Sequence, residues 1–294
     1  MSRLLLPVAE VLAWGEKELD RAGVSAARLE AEVLLAFTCG WSRSALLARL
    51  RDSLEPGLRE EFSRLVARRS SGYPLQYITG RQEFMSLDFL VAPGALIPRG
   101  DTEVLVEEVL DFARGWSGPL SIVDVGTGTG AIAVSLARYL PASAQVFASD
   151  VSKDALVMAR ENARRLGVKV TFVEGDLLHP FLTAGEDAGL PTEVAAIASN
   201  PPYIPSGEFA HLPRELAYEP VLALDGGPDG MEVYRRLIPQ AAQMLPAGGL
   251  LALEIGWNQA SEVIHLLGAA GGFNRIKVRQ DLAGRDRVVT GRRS

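Results

Sequence analysis

Two short stretches hold residue types that can do chemistry. The first, Ser-Asn-Pro-Pro-Tyr-Ile-Pro at residues 199–205, follows the apolar run "EVAAIA" and sets three prolines within five residues beside an asparagine and a tyrosine. A residue ahead of proline is pushed to an extended backbone, and proline donates no N–H. Asn200 and Pro201 are therefore held extended, and Pro202 prolongs a stiff ledge that presents only acceptors. Such a ledge can grip both hydrogens of a planar NH₂ group, one on the Asn200 side-chain oxygen and one on the Pro201 carbonyl. The nitrogen lone pair, otherwise delocalised, is then free to turn toward an electrophile. Tyr203 can lie on the planar group and exclude water. The plainer alternative is a proline-rich turn that caps a strand.

The second stretch, "DVGTGTGAIA", spans Asp124 to Ala133. Gly126, Gly128 and Gly130, with Thr127 and Thr129 between them, allow a tight turn that a ligand can approach without a side chain in the way. Alone this is a weak signal, because Gly126, Gly128 and Ala131 also fit the dinucleotide pattern G-x-G-x-x-A. Asp150 ends the next strand, where a carboxylate can accept from ribose hydroxyls. Asp176, ending the strand after that, can accept from an exocyclic adenine amine, while Leu177 packs on the ring. An adenosine-containing cofactor fits this series. Asp124 bears on which one: beside the loop it would repel a pyrophosphate and attract the ammonium and sulfonium of S-adenosylmethionine, or it serves only as a hydrogen-bond anchor for the loop.

These residues need a frame that brings strand ends together. From residue 120 onward apolar strands and amphipathic helices alternate: "LSIVDVG", "AQVFASD", "VKVTFVEGD", "EVAAIASN" and "GGLLALEIG" read as strands, with helices over "GAIAVSLARYL", "SKDALVMARENARRLG" and "MEVYRRLIPQAAQML". "FNRIKVRQD" and "RDRVVTG" can close the chain as an antiparallel pair. The pattern specifies an α/β fold, a mostly parallel sheet covered on both faces, with ligands beyond the C-terminal strand ends. Residues 1–75 read as four short helices with no strand. The first buries Val8, Leu12 and Leu19; the second begins after Ser25 as N-cap and turns Ala26, Leu29, Val33 and Phe37 to one face. Residues 76–100 read as a hairpin linker and 101–294 as the catalytic domain. Its first helix starts near Asp101, with Thr102 and Glu103 placing acceptors and negative charge at the N-terminus.

Composition narrows the function. The chain has 294 residues and a net charge of −6; residues 1–75 carry +1 and the remainder −7. An acidic catalytic part does not suit a phosphate-gripping surface and counts against a nucleic-acid substrate. The single cysteine, Cys39, precludes an intramolecular disulfide and fits a reducing compartment. His179, His211 and His265 lack metal-ligand spacing, so no metal is expected. The apolar run in "MSRLLLPVAE" is short for a signal peptide and no stretch suits a bilayer span, so a cytoplasmic protein with no membrane partner is expected.

The two motifs, with Asp150 and Asp176, resemble a class I S-adenosylmethionine-dependent methyltransferase acting on an amino group. "PLQYITG", "IPRGDTE", "EPVLALDGGPDG" and "DLAGRDRVV" extend the resemblance over nearly the whole chain to the HemK/PrmC-type glutamine-N5 methyltransferases of peptide chain release factors. The resemblance implies a Rossmann-like seven-stranded sheet behind a small helical N-terminal domain. It also implies methyl transfer from S-adenosylmethionine, giving S-adenosylhomocysteine, to the glutamine amide in the Gly-Gly-Gln loop of class 1 release factors. Gly126 to Gly130, Asp150, Leu177 and Asn200 match the family's cofactor positions, and Asn200, Pro201, Pro202 and Tyr203 its catalytic, substrate-gripping ones. Leu177 departs from relatives that carry an aromatic there. The N-terminal module would dock the factor. The rivals are a ribosomal-protein glutamine methyltransferase and an adenine-N6 nucleic-acid methyltransferase; the latter would need a basic groove or recognition insertion, which the sequence lacks.

Overall fold

The computed structural model describes residues 5–184 and 189–294; residues 1–4, where the N-terminal apolar run begins, lie outside them. The chain forms two compact units, Met1–Gly80 with Pro213–Tyr218, and Arg81–Leu212 with Glu219–Ser294.

In the first unit β1 (Leu6–Pro7) leads into α1 (Val8–Arg21), α2 (Ala27–Cys39) and α3 (Arg43–Ala48); β2 (Ser53–Leu54), α4 (Pro56–Ser70) and α5 (Leu75–Thr79) follow. β1 pairs antiparallel with β2, so this unit is not strand-free as its sequence suggests. Val8, Leu12 and Leu19 are buried as expected. In α2 the expected face is wrong: Ala27, Ala31, Leu34 and Leu35 are buried, while Leu29 and Phe37 stand 45% and 47% exposed. Small alanines at 27 and 31 let neighbouring helices approach, and that closeness outweighs burial of the larger side chains. Ser25 does not cap this helix, whose N-cap is Ala26. Ser42 does cap α3, its hydroxyl accepting from Ala45 N at 3.1 Å. Charges buried here are paired: Arg69 holds Glu30 and Glu215, and Glu32 accepts from Arg28 and Arg43 at 2.7 Å each.

The second unit opens with a hairpin, β3 (Arg81–Phe84) and β4 (Leu87–Leu90). Its turn residues Met85 and Ser86 have φ of 50° and 57°, a conformation that side chains ordinarily resist. Two bonds hold it: Met85 N donates to Glu103 Oε1 at 2.6 Å and its carbonyl accepts from the Tyr139 hydroxyl at 2.5 Å. A 3₁₀ turn, Gly100–Thr102, then enters α6 (Glu103–Arg114). The Thr102 side chain does not cap α6, and the Glu103 carboxylate serves the hairpin instead.

The alternating elements follow: β5 (Ser121–Val125), α7 (Ala131–Tyr139), β6 (Gln145–Asp150), α8 (Lys153–Leu166), β7 (Thr171–Glu174), α9 (His179–Leu182), β8 (Ala196–Ser199), α10 (Glu232–Met244), β9 (Leu250–Glu254), α11 (Ala260–Ala270), β10 (Phe273–Gln280) and β11 (Asp286–Arg293). One seven-stranded sheet results, in the order β10-β11-β9-β8-β5-β6-β7. β9-β8-β5-β6-β7 run parallel, and β11 is antiparallel to both β9 and β10. Buried apolar side chains line both faces, Ile122, Ala148 and Ala198 on one and Val123, Ile197 and Leu253 on the other. Strand order reverses between β5 and β8, which places a crevice beyond their C-terminal ends.

Candidate active site

At that crevice the loop after β5 makes three left-handed turns, with φ of 73°, 56° and 82° at Gly126, Gly128 and Gly130. A Cβ on Gly126 or Gly128 would project into open space, so the main chain itself forms the wall there. At Gly130 it would crowd Ala159 Cβ at 3.1 Å, because this glycine seats α7 against α8. Thr127 and Thr129 are buried and shape the loop from behind: Thr127 Oγ1 donates to Asp124 Oδ2 at 2.6 Å, and the Thr129 carbonyl accepts from Asn162 at 2.9 Å. Of the five loop residues expected to bind a cofactor, only Gly126 and Gly128 line the cleft.

Asp124 is fully buried and also accepts from Ala133 N, so it anchors loop to helix rather than facing the cleft. Its Oδ1 has no partner among the described residues, and burial pushes the carboxyl up to about 7. Asp150 lines the cleft, one oxygen accepting from Gly128 N and the other from Ser152 N, both at 2.8 Å. Burial raises its pKa against the pull of those N–H groups. Each oxygen keeps a lone pair for a further donor.

Asp176 and Leu177 sit on the same rim. Asp176 forms an exposed ion pair with Arg236 of α10. Leu177 has φ of 53°, unusual for a branched side chain, and its carbonyl accepts from Ser149 Oγ at 2.8 Å.

The Asn-Pro-Pro-Tyr segment leaves β8 at the opposite lip. Asn200 and Pro202 line the cleft, about 190 Å³, beside the glycine loop. Tyr203, Ile204 and Pro205 line a second one, about 670 Å³, that extends past Trp257 and His265. The ledge thus separates two clefts. Asn200 Nδ2 donates to Thr102 Oγ1 at 3.2 Å. Among the described residues no donor reaches Asn200 Oδ1 or the Pro201 carbonyl. Pro201 is buried, and Tyr203 has its phenol pushed up to about 12, first by burial and then by nearby Glu254.

Sequence reasoning left residues 219–230 without a role, and the structure supplies one. Gly226 N donates to the Ile204 carbonyl at 2.9 Å and Ile204 N to the Leu224 carbonyl at 3.0 Å, so this segment braces the ledge from below. A Cβ on Gly226 would meet Tyr203 Cα at 2.8 Å, and one on Gly230 would collide with the Tyr203 carbonyl. Gln259 Nε2 holds that same carbonyl at 2.9 Å. Buried Glu219 accepts from Ile97 N at 3.0 Å and pairs with Arg99, which explains the "IPR" and "EP" stretches together. The helix α11, which carries the far side of the second cleft, was also unread; Val263 and Leu267, four apart, were its signal.

A glycine turn, three acidic or amide strand ends and this sheet order define a class I S-adenosylmethionine-dependent methyltransferase fold. Residues 10–80 match the family described as PrmC N-terminal domain, and residues 122–189 the one described as Methyltransferase domain. The chain is 49% identical to the release factor glutamine methyltransferase of Moorella thermoacetica, over 96% of this chain and 97% of that protein. It is 43% identical to the protein of the same name from Geobacter sulfurreducens, over 97% and 96%. The chain belongs to the release factor glutamine methyltransferase family.

Proposed function

We propose that the protein transfers a methyl group from S-adenosylmethionine to the N5 side-chain amide nitrogen of the glutamine in the Gly-Gly-Gln loop of class 1 release factors, leaving S-adenosylhomocysteine. The observation that carries this reading is a pair of acceptors without protein donors, Asn200 Oδ1 and the Pro201 carbonyl, on a ledge between two clefts. The cofactor fits the cleft on the β5 side, where Gly126 and Gly128 offer bare main chain and Asp150 has lone pairs to spare for ribose hydroxyls. Asp176 and Leu177 would hold the adenine edge and face. When bound, the cofactor supplies an electrophilic methyl on a sulfonium.

The chain's own residues act on the amide. Asn200 Oδ1 and the Pro201 carbonyl would accept its two hydrogens, holding the nitrogen with its lone pair toward the donor cleft. As the amide nitrogen takes the methyl, whose former bonding pair would stay with the donor sulfur, it would become cationic, and the two acceptors would stabilise that charge more than they stabilise the neutral amide. The proton then leaves to water. Tyr203, with its phenol kept neutral, would cover the amide plane from the second cleft.

No helix among the described residues is long and apolar enough to cross a membrane. A cytoplasmic site of action, with residues 1–75 docking the release factor, completes the proposal. Docking predicts a higher kcat/KM on the whole factor than on a short Gly-Gly-Gln peptide. The decisive experiment offers radiolabelled methyl donor with separate pools of release factor, ribosomal protein and nucleic acid. Label on the factor's glutamine is expected; label confined to either other pool overturns the reading.

A further inference from the structure

Leu177 holds its backbone at φ of 53°, in the left-handed region that a branched side chain ordinarily avoids, whereas Gly175, two positions earlier, has no positive φ. The residue that could turn freely does not, and the one that resists turning does. What holds Leu177 there is a set of bonds on the two peptide planes that flank it. Ahead of it, the Asp176 carbonyl accepts from His179 N at 3.0 Å. Behind it, the peptide joining Leu177 to Leu178 is gripped at both ends. Its carbonyl accepts from Ser149 Oγ at 2.8 Å, and its N–H donates to Gln240 Oε1 at 2.9 Å. The C=O and N–H of a trans peptide point opposite ways, so two bonds to separate elements fix the plane. With both planes held, φ and ψ of Leu177 cannot relax together.

The two gripping side chains belong to different walls of the donor cleft. Gln240 is half-buried in α10, four and seven positions after Arg236 and Val233, which line that cleft from the same helix face. Ser149 is buried in β6, and its main-chain carbonyl accepts from Gly126 N at 2.9 Å and Thr127 N at 3.0 Å. One serine therefore ties the glycine loop to the Leu177 turn. Neither Ser149 nor Gln240 lines the cleft. The ion pair of Arg236 with Asp176 also links α10 to this turn, but both side chains stand in solvent, where such pairs contribute little.

We propose that Gln240 and Ser149 are positioning residues for the methyl donor, clamping the Leu177–Leu178 peptide so that Leu177 keeps its left-handed form against the adenine. Without either grip the plane turns, Leu177 returns to an ordinary backbone conformation, and its side chain leaves the ring face. Asp176, one residue earlier, moves with it. Only the fraction of molecules that still hold the turn then binds well, so donor affinity falls in proportion to that fraction. The Asn200 ledge leaves a different strand and keeps its geometry, so the chemical step is spared.

This inference rests on placing the adenine at Asp176 and Leu177. The full-length enzyme is titrated with S-adenosylmethionine by calorimetry, and turnover is followed with labelled donor and a whole release factor. Gln240→Leu is expected to raise the donor Kd and donor KM by about 5–30-fold, the scale of a buried peptide N–H left without its acceptor. Its kcat at saturating donor and its KM for the factor should stay at wild-type values, a split that general loosening of the fold would not produce. Gln240→Glu keeps an acceptor at that position and restores donor affinity. Ser149→Ala removes only the other grip and weakens the donor in the same way. Combining it with Gln240→Leu loses less than the product of the two, because either change already frees the plane.

Leu177→Gly separates the clamp from the reading beneath it, since it deletes the adenine wall itself. A raised Kd in Leu177→Gly with wild-type affinity in Gln240→Leu overturns the clamp alone, as does failure of Gln240→Glu to rescue. Wild-type affinity in Leu177→Gly overturns the adenine placement and the clamp together.

Discussion

Gly226→Ala is the sharpest test of the brace beneath the ledge. Gly226 has no positive φ, so the substitution is not strained by backbone conformation; what decides its cost is space. The new Cβ would stand 2.8 Å from Tyr203 Cα and Gly230 Cα and 2.9 Å from the Gly230 carbonyl, whereas ordinary contact begins at 3.4 Å. All three neighbours are main chain, so no side chain can swing away. Brace and ledge must separate by about 0.6 Å, which stretches the 2.9 Å and 3.0 Å bonds between Gly226, Ile204 and Leu224 toward breaking. Overpacking costs roughly 1–3 kcal/mol and each of the two weakened bonds about 0.5–1.5 kcal/mol, giving about 2–6 kcal/mol in all. For a domain of this size, at about 2–4 °C per kcal/mol, that lowers Tm by roughly 4–24 °C. A misplacement of about 1 Å can cost ~100-fold in rate, so about tenfold in kcat is expected here. Thermal melts, labelled-methyl turnover and calorimetric donor binding read the three quantities, with Gly268→Ala, open on α11, as the neutral control. Wild-type Tm and kcat in Gly226→Ala would refute the reasoning.

Asn200→Ala should lower kcat by about 10²–10³, the scale of one lost transition-state hydrogen bond, while calorimetry finds donor affinity nearly unchanged. Asp150→Ala should do the reverse, raising the donor Kd by at least tenfold through lost ribose bonds and a loosened Gly128 N–H; unchanged affinity removes the ribose role. Asp124→Asn tests linkage. The folded-state pKa is raised from 3.8 to about 7, so Asp124 contributes stability that is present below pH ~4 and lost as pH rises through ~7, up to about 4 kcal/mol. Denaturant unfolding of wild type and Asp124→Asn across that range should therefore diverge in slope; parallel curves would place the titration elsewhere.

The sheet and its rim were legible because the signals are local. Each parallel strand is an apolar run ending in a residue that ligands could use, and proline and glycine fix their own backbone, so Asn200, Gly126 and Asp150 could be placed before any coordinates. Partners distant in sequence were not legible. Nothing near Thr102 says that its hydroxyl will serve Asn200, 98 positions on, rather than its own helix. Glu219 looks like a surface charge until Ile97 N is found bonded to it. Asp124 was ambiguous for the same reason: its choice between ligand and loop depends on Thr127 and Ala133 folding back over it. In α2 the apolar pattern admitted two faces, and only the close approach allowed by Ala27 and Ala31 decides between them.

The position of β11 has a consequence for biogenesis. Residues 286–293 fill the gap between β9 and β10 and are mostly buried there, although both neighbours are made first on the ribosome. Until that segment has cleared the exit tunnel, β9 waits as a bare edge with Glu254 at its end, and the sheet is open to wrong pairing. A nascent chain stalled before residue 286 would therefore be a client for chaperones even after its donor-side strands have assembled.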